Sequence, residues 1–301
     1  MVDIALLGCG GMMPLPKRFL TSMFARLDGR FVLIDCGEGT QVTLKMLGWG
    51  FKNIDAIMFT HFHADHIAGL PGLLLTIGNS GRSEPLTLIG PKGLEAVVHG
   101  LTVIAREIPF ELEFVEMDGP QKIEISGFRI SSLPVEHRTT CYAYTLEVHR
   151  PGKFDLERAQ ALNVPKNMWS YLQKGESIEF EGNIYTADMV MGEDRKGIKI
   201  AYCTDSRPVG ALPDFVRGAD LFICEGIYGD NEKIDKAKEY KHMLFSEAAE
   251  IAKAAEVKQM WLTPYSPSLT DPGEFLQNAT DIFSNTYLGY DRKTETIRFE
   301  E

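Results

Sequence analysis

The sequence predicts an α/β fold in which two β-sheets pack face to face with helices outside them. The chain has 301 residues, 44% of them hydrophobic, which is enough for one large domain or two small ones with a sizeable core. Apolar runs of strand length come in clusters, and each cluster is followed by a helical pattern, as in layered sheets and helices. No apolar run reaches the roughly 20 residues that a membrane span needs.

The first third of the chain alternates strands with glycine-rich turns and short helices. The turn Asp28-Gly29 joins two of the strands as a hairpin. A helix is predicted after His66 in spite of Pro71-Gly72. In chain order, strands are predicted at Ile4–Leu7, Ser22–Arg26, Phe31–Ile34, Ile54–Phe59 and Leu86–Ile89, and helices at Thr40–Leu47, His66–Ile77 and Pro91–Ala105.

The middle of the chain interrupts this pattern. Arg150–Gly197 is richer in charge and glycine and has weak periodicity, with one short helix expected at Asp155–Leu162. We therefore expect a single domain, residues 1–301, with an arm inserted at about 150–197. Ser246 is the predicted N-cap of a helix that ends near Ala255. The remaining strands are predicted at Leu112–Glu116, Lys122–Ile125, Phe128–Leu133, Ala143–Val148, Ile198–Cys203, Asp220–Cys224, Gln259–Thr263 and Thr294–Phe299, with a helix near Pro272–Phe283.

Charge and cysteine usage narrow the class of protein. The formal net charge is −11, whereas a protein that binds nucleic acid without specificity is normally basic. A nucleic-acid substrate would therefore have to be held by a local patch or by metal ions. The five cysteines are scattered without a CxxC pair, which predicts reduced thiols in a cytoplasmic protein. The segment Met1–Leu7 has no basic leader, so no secretory signal is expected.

The segment Thr60–His66 places three imidazoles and a carboxylate directly after a predicted strand. His61 and His63 are two positions apart, so extended backbone sends both rings to the same side. Asp65 and His66 follow on a turn and can face a second metal ion. One histidine near a strand end is usually an ordinary polar residue, but this segment holds three of the seven histidines, and each costs free energy if buried unpaired. The pattern predicts a metal site, and its ligand types suit Zn²⁺ (one or two ions per chain) and also manganese, iron or nickel.

More ligands are expected at other strand ends, because a hydrolase with two metal ions about 3.5–4 Å apart needs more than one segment supplies. His137 follows one predicted strand, and Asp205 follows another, where a carboxylate can bridge both ions. A lone strand-end aspartate is most often a turn or cap residue, so the first motif is what favours the metal interpretation. Asp35 also ends a strand and either orients a ligand imidazole or caps the glycine-rich turn.

Two further segments have both a functional and a structural interpretation, and two more have a structural one only. His242 is either a general acid for the leaving group or a surface histidine in a charged loop. Gly37–Thr40 resembles a phosphate cradle, although tight packing of the loop against a helix is the favoured interpretation. Met12-Met13 is expected in the core, and the mixed-charge stretch Lys233–Lys241 on a solvated face.

With these residues in place, the chain resembles the metallo-β-lactamase superfamily and, within it, the ribonuclease Z family, which removes the 3′ trailer of precursor tRNA. The resemblance runs over nearly the whole chain. It implies a four-layer αββα sandwich with the site along one edge, and a homodimer. It rests on Gly8-x-Gly10-Gly11-x-x-Pro14 with Arg18, on Asp35-Cys36-Gly37-Glu38-Gly39-Thr40-Gln41, and on Thr60-His61-x-His63-x-Asp65-His66-x-x-Gly69-Leu70-Pro71-Gly72.

The resemblance also implies a set of site residues. In the family, the aspartate that matches Asp65 helps to orient or deprotonate the attacking hydroxide, and the histidine that matches His242 assists the leaving oxygen. Residues 150–197 match the arm that grips the tRNA elbow. One metal ion would be held by His61, His63, His137 and Asp205, and a second by Asp65, His66, Asp205 and one further histidine.

The later half of the chain departs from the family's pattern. Pro264 stands where the family has its last histidine ligand, and Ser268 stands where it has an arginine. Proline cannot bind a metal ion, so Tyr265, a cysteine or water would have to complete the second site. The other departures are Cys224–Ile227 in place of His-Glu-Ala-Thr, Met243-Leu244 in place of Ser-Thr, and Lys166–Trp169 in place of a glycine–proline motif in the arm.

Three functions remain open from the sequence. The first is a metal-dependent phosphodiesterase that acts on precursor tRNA. The second is a hydrolase of the same fold that acts on a small phosphodiester, sulfate ester or lactone. The loss of the family arginine at Ser268, the altered arm and the acidic net charge favour it. The third is a non-catalytic binding protein that keeps one structural metal ion. Pro264 favours it, and the intact cluster at His61–His66 argues against it.

Overall fold

A computed structural model describes residues 1–105 and 107–300. The chain divides into two compact units. The first consists of Met1–Glu147 and Ile198–Arg298, and the second of Val148–Gly197 with the end of the chain from Phe299. Within the described ranges, no helix combines the length and the apolar character that crossing a membrane requires.

The strands form two large sheets and one hairpin. The strands are β1 (Val2–Gly8), β2 (Ser22–Leu27), β3 (Arg30–Ile34), β4 (Ile54–Met58), β5 (Leu86–Pro91), β6 (Leu112–Met117), β7 (Lys122–Ile125), β8 (Phe128–Val135), β9 (Cys141–Arg150), β10 (Ile178–Phe180), β11 (Asn183–Tyr185), β12 (Arg195–Cys203), β13 (Leu221–Cys224), β14 (Met260–Leu262), β15 (Thr286–Leu288) and β16 (Thr294–Ile297). In the described part of the chain, sheet 1 has the order β16-β1-β2-β3-β4-β5-β6, sheet 2 has the order β15-β14-β13-β12-β9-β8-β7, and β10 pairs with β11.

The helices of the first unit lie against the sheets. Leu44, Leu73 and Val98 come from three different helices and share one buried cluster with the strands of sheet 1. The α-helices are α1 (Thr40–Leu47), α2 (Ala64–Ile67), α3 (Leu70–Asn79), α4 (Leu94–Leu101), α5 (Leu156–Ala161), α6 (Trp169–Gln173), α7 (Ala187–Val190), α8 (Leu212–Val216), α9 (Ile234–Tyr240), α10 (Phe245–Ala254) and α11 (Gln277–Thr280), with 3₁₀ turns at Thr102–Ile104, Lys166–Met168, Asn231–Lys233 and Pro272–Phe275.

The central strands are buried on both faces. Every residue of β4 is buried, as is every residue of β13, which requires cover on each side of a sheet. The hydroxyl of Tyr144 in sheet 2 donates to the carbonyl of Phe59, directly after β4 of sheet 1, at 2.7 Å. The predicted sandwich of two sheets with helices outside is confirmed.

Parallel pairing brings strand ends to a common edge. β3, β4, β5 and β6 are parallel neighbours in sheet 1, and β12, β13, β14 and β15 are parallel neighbours in sheet 2. The carboxyl ends of parallel strands meet at one edge, where open α/β sheets bind their ligands. The chemically active residues that follow these strands are therefore gathered by the topology itself.

The single helix predicted at His66–Ile77 is wrong. The chain forms α2, which ends at Ile67, and then α3, in which Pro71 occupies the first turn, where proline is tolerated. The break falls at Gly69, whose N–H donates to the carbonyl of Cys36 at 2.9 Å. A Cβ at Gly69 would lie 2.2 Å from the carbonyl oxygen of Gly37, so the close approach of two backbones ends the helix there.

Other element boundaries also differ from prediction. Ser246 is not the N-cap, because α10 begins at Phe245 and the side chain of Glu247 accepts from the N–H of Leu244 at 2.9 Å. The predicted helix near Pro272–Phe283 is a 3₁₀ turn followed by α11, and β15 was not predicted. The Met12-Met13 pair is exposed rather than in the core.

The second unit has its own small core. Beyond the predicted short helix, it contains α6, α7 and the β10–β11 hairpin, which the weak periodicity of this stretch did not reveal. The indole N–H of Trp169 donates to the carbonyl of Val164 at 2.9 Å. The buried cluster consists of Ala159, Val164, Leu172 and Val190.

Candidate metal centre

The predicted ligand residues lie together in the first unit. Three groups of metal-ligating side chains, each with ligand atoms within 4.8 Å of one another, occur among the described residues, and Asp205 belongs to all three. Each contributing segment follows a strand except that of His242, which follows α9. The groups are His61, His63, His137 and Asp205; Asp65, His66 and Asp205; and Asp205, Glu225 and His242.

The first group has the spacing of a tetrahedral site. His63 Nδ1 lies 3.0 Å from His61 Nε2 and 3.2 Å from His137 Nε2. Four ligands at about 2.0–2.1 Å from a zinc ion lie about 3.3 Å from one another, so these nitrogens fit one shared ion. An Asp205 oxygen lies 3.7 Å from His61 Nε2 and 3.8 Å from His137 Nε2.

The second nitrogen of these rings is held by the protein. His61 Nδ1 is 3.0 Å from the hydroxyl of Thr60, which itself donates to Asp35, so the ring donates from Nδ1. His137 donates from Nδ1 to the carbonyl of Lys241 at 3.1 Å. Both rings are left with an Nε2 lone pair that faces the centre, the arrangement of metal-binding histidines. Burial lowers the pKa of His61 well below its ordinary value and also lowers the pKa of His63 and His137, which keeps these lone pairs free.

The second group contains a buried nitrogen without a partner. His66 donates from Nδ1 to Asp35 at 2.8 Å, while its Nε2 has no hydrogen-bond partner among the described atoms. That nitrogen lies 3.5 Å from an Asp205 oxygen and 3.6 Å from an Asp65 oxygen. An orphaned buried nitrogen costs free energy, and an ion between these three groups would remove that cost.

Asp35 has the orienting role rather than the capping role. It is fully buried, its carboxylate accepts from the N–H and the hydroxyl of Thr60, and it fixes the ring of His66. Burial alone would lower the pKa of His66, but the carboxylates of Asp205 and Asp35 raise it well above its ordinary value. The surroundings of this ring therefore favour positive charge, which is what a cation between the carboxylates would supply.

Asp65 is positioned by the loop after β1. Its Oδ2 accepts from the N–H of Met12 at 2.7 Å, and Met12 has a positive φ of 69°. Gly37, in the loop first compared to a phosphate cradle, packs tightly, because a Cβ there would lie 2.4 Å from the carbonyl of Asp65. The loops on both sides of Asp65 therefore support it in place.

His242 is not a surface histidine. It is largely buried, lines the same cavity as His63 and Asp205, and its Nδ1 donates to Glu225 at 2.6 Å. Burial lowers the pKa of His242, but the Glu225 carboxylate outweighs it and raises the value to about 9. Burial likewise raises the pKa of Glu225 to about 7, with His242 opposing the rise.

Glu225 was missed as a functional residue in its own right. It is completely buried and also accepts from the N–H groups of Ser206 and Met243. The signal available in the sequence is its position directly after β13, since Asp205 likewise lies within two residues of the end of β12. A charged residue at the end of a fully apolar strand is a candidate at this edge.

Among the described residues, no side chain beside Pro264 takes the place of the histidine ligand. The hydroxyl of Tyr265 is buried and donates to the carbonyl of Leu262 at 2.6 Å, so it is directed away from the ligand cluster. No cysteine belongs to the ligand groups found in the described ranges. Within those ranges, the second group has three protein ligands: Asp65, His66 and Asp205.

Comparison with known proteins extends beyond the site. The sequence profile of a family described as "Anti-Pycsar protein Apyc1" matches residues 2–151. The chain is 57% identical over 303 residues to the ribonuclease Z of Clostridium kluyveri, with 100% of both chains covered. It is 54% identical over 307 residues to the ribonuclease Z of Clostridium acetobutylicum, with 100% of this chain and 99% of that protein covered.

The fold has a counterpart among solved structures. It is similar to the crystal structure of human tRNase Z, short form, with a TM-score of 0.71 and 24% identity over 99% of this chain and 100% of that chain. At that identity the likeness bears on the fold alone. The sequence identity to the two clostridial proteins covers the sandwich, the metal centre and the second unit together.

Proposed function

The chain belongs to the ribonuclease Z family, and from that premise we propose that it is a metal-dependent endoribonuclease that removes the 3′ trailer of precursor tRNA. The observation that carries the proposal is identity of 54% or more, along the whole chain, to proteins named ribonuclease Z. The small-ester hydrolase is not favoured, because that identity is not confined to the first unit, which contains the metal centre, but also covers the second unit. The non-catalytic alternative is not favoured, because the first ligand group keeps four protein ligands and the second keeps three.

We propose Zn²⁺ as the ion, one or two per chain, with manganese, iron or nickel as chemically suitable substitutes. His61, His63, His137 and Asp205 would hold the first ion. Asp65, His66 and Asp205 would hold the second. When bound, the ions supply Lewis-acid stabilisation of negative charge on the phosphoryl oxygens.

Two side chains are proposed to carry out proton transfer and orientation. Asp65, fixed by the Met12 N–H, orients the attacking water and accepts its proton. His242, held in its protonated form by Glu225, donates a proton to the leaving oxygen. The cavity that contains both has a volume of about 570 Å³, enough for a nucleotide at the cleavage point.

Removal of the metal tests the proposed function. We expect the metal-loaded protein to release the trailer from a precursor tRNA, chelator-treated protein to release none, and added Zn²⁺ or Mn²⁺ to restore cleavage. Gel analysis of end-labelled precursor measures this, with bis-p-nitrophenyl phosphate as the small-diester comparison. Turnover of the small diester by protein that leaves the precursor intact would overturn the tRNA proposal in favour of the small-ester alternative.

Replacing Pro264 with histidine tests the second ion. We expect Pro264→His to supply a fourth ligand and to raise the affinity for the second ion by about 10-fold or more, the size of effect seen when even outer ligand partners change. Calorimetric titration of metal-free protein measures it. Pro264→Ala is the matched control, since it removes the ring without adding a ligand, and equal second-ion affinity in the two variants would contradict the prediction.

Three further proposals complete the functional picture. We propose a single domain with an inserted arm at about 150–197, and the independent core of the second unit supports an arm that contacts tRNA. The five free, buried cysteines support a cytoplasmic location. A homodimer is proposed from family membership.

A further inference from the structure

Positive charge is concentrated on one wall of the cavity at the metal centre. The chain as a whole has a net charge of −11, yet Arg138, Lys233 and Lys236 all line this cavity. Ser266, Pro267 and Ser268, which also line the cavity, have no charge. We call the part of the lining formed by Arg138, Lys233 and Lys236 the cationic wall. The part formed by Ser266, Pro267 and Ser268 is the neutral wall.

The two lysines of the cationic wall lie on α9 and the 3₁₀ turn before it. Lys233 and Lys236 are three positions apart, which places them as neighbours on one side. Asp230 caps the turn by accepting from the N–H of Glu232 at 3.0 Å. Ala237 is completely buried, so α9 is anchored on its inner side while the lysines face the cavity.

Arg138 is fixed beside these lysines by α9 itself. Its guanidinium lies 4.5 Å from the centre of the Tyr240 ring, and its Nη2 donates to the carbonyl of Glu239 at 3.1 Å. The helix α9 also contacts the proposed general acid, because the N–H of His242 donates to the carbonyl of Ala237 at 2.8 Å. The wall is thus held in a fixed position relative to the general acid.

The two lysines are free to bind an anion. Within the described residues, neither Lys233 nor Lys236 has a carboxylate partner within ion-pair distance, whereas Lys241 pairs with Glu136. The guanidinium of Arg18 is already engaged, because it donates to the carbonyls of Leu269 and Thr270 at 2.9 and 3.2 Å. The uncommitted positive charge in the cavity therefore comes from α9 and the 3₁₀ turn before it.

We propose that Lys233 and Lys236, supported by Arg138, bind the RNA phosphates that flank the scissile phosphate and so determine specificity for a polynucleotide over a small diester. The inference rests on the proposed function, because it assumes an RNA substrate at this centre. Lysine acts on phosphate as a point charge, which suits backbone binding without base recognition. This wall supplies the local basic patch that an acidic protein needs for a nucleic-acid substrate.

The double variant Lys233→Ala/Lys236→Ala tests the proposal in the metal-loaded full chain. We expect the dissociation constant for precursor tRNA to rise about 10-fold and the slope of log K against log salt to fall in magnitude by about 1 for each lysine removed. Turnover of bis-p-nitrophenyl phosphate, which has no flanking phosphates, is expected to stay within about twofold of the unchanged protein. Fluorescence anisotropy across a salt series measures the binding.

Two comparison variants make the outcome specific. Lys238→Ala removes an exposed lysine of the same helix that does not line the cavity, and we expect wild-type affinity and salt slope. Lys233→Arg/Lys236→Arg keeps the charge and is expected to restore binding. A double alanine variant that binds precursor tRNA with the affinity and slope of Lys238→Ala would overturn the proposal.

The test also separates this inference from the proposed function. If the protein cleaves the trailer but the salt slope of binding is the same with and without the two lysines, the proposed function is supported and the proposed role of the cationic wall is refuted. If the wild-type protein cuts no precursor but binds it with a salt slope that depends on these lysines, the role of the cationic wall is supported and the proposed function is refuted. A wild-type protein that neither cuts nor binds precursor tRNA overturns both.

Discussion

Replacing Asp205 with alanine is expected to remove both metal ions and to lower trailer cleavage by about 10²–10⁴-fold. One Asp205 oxygen lies between 3.5 and 3.8 Å from the Nε2 atoms of His61, His66 and His137, so one carboxylate serves both ligand groups. The loss of even an outer partner costs about 10–100-fold per site, and two sites compound that loss. Metal content per chain after gel filtration, with cleavage rate on precursor tRNA, measures the effect.

Asp65→Ala is the matched control for the shared carboxylate. Asp65 belongs to the second ligand group but not to the first, so we expect this variant to keep one tightly bound ion where Asp205→Ala keeps none. Circular dichroism should show the same fold in both variants, because neither residue contributes to the apolar core. Equal metal content in the two variants would mean that Asp205 does not bridge the two groups.

Much of the site could be predicted from the sequence, because most of its residues come shortly after strands. The interval between His61 and His63 and the placement of Asp205 after a strand are local features. Parallel pairing within each sheet and face-to-face packing of the two sheets convert them into proximity. The structure places the predicted residues together; that they bind metal ions stays a prediction. Asp35 was undecided in the sequence, because its role depends on the ring of His66, 31 positions away, and only the tertiary structure defines that contact.

The sequence-based predictions that proved wrong or incomplete concern segments whose structure depends on tertiary contacts rather than on the local residue pattern. The helix after His66 breaks because Gly69 meets the backbone of Gly37, a contact that no window of sequence around residue 69 contains. The stretch Lys233–Lys241 was expected to be a solvated face, and several of its residues are indeed exposed. Its side toward the metal centre is set by packing at Ala237, which sequence charge alone does not reveal.

His242→Ala is expected to lower trailer cleavage by about 10²–10⁴-fold, the usual contribution of a general acid, while metal content stays unchanged. The Glu225 carboxylate, hydrogen-bonded at 2.6 Å, keeps the pKa of His242 at about 9 in spite of burial. The ring is therefore protonated and able to donate below about pH 9, and the rate should fall as the pH rises through that value. Cleavage rates from pH 6 to 10 measure this, and His99→Ala, in α4 beside Phe114, is the histidine control.

Glu225→Gln distinguishes proton donation from a merely structural role for this pair. Without the carboxylate, the pKa of His242 should move down toward the ordinary imidazole value of about 6.5, so the fall in rate should begin at lower pH. At pH 6 the variant should recover much of its activity, because the imidazolium is then still populated. A structural defect would instead lower the rate equally at every pH, and a pH profile of unchanged shape in Glu225→Gln would contradict the assignment of His242 as the proton donor.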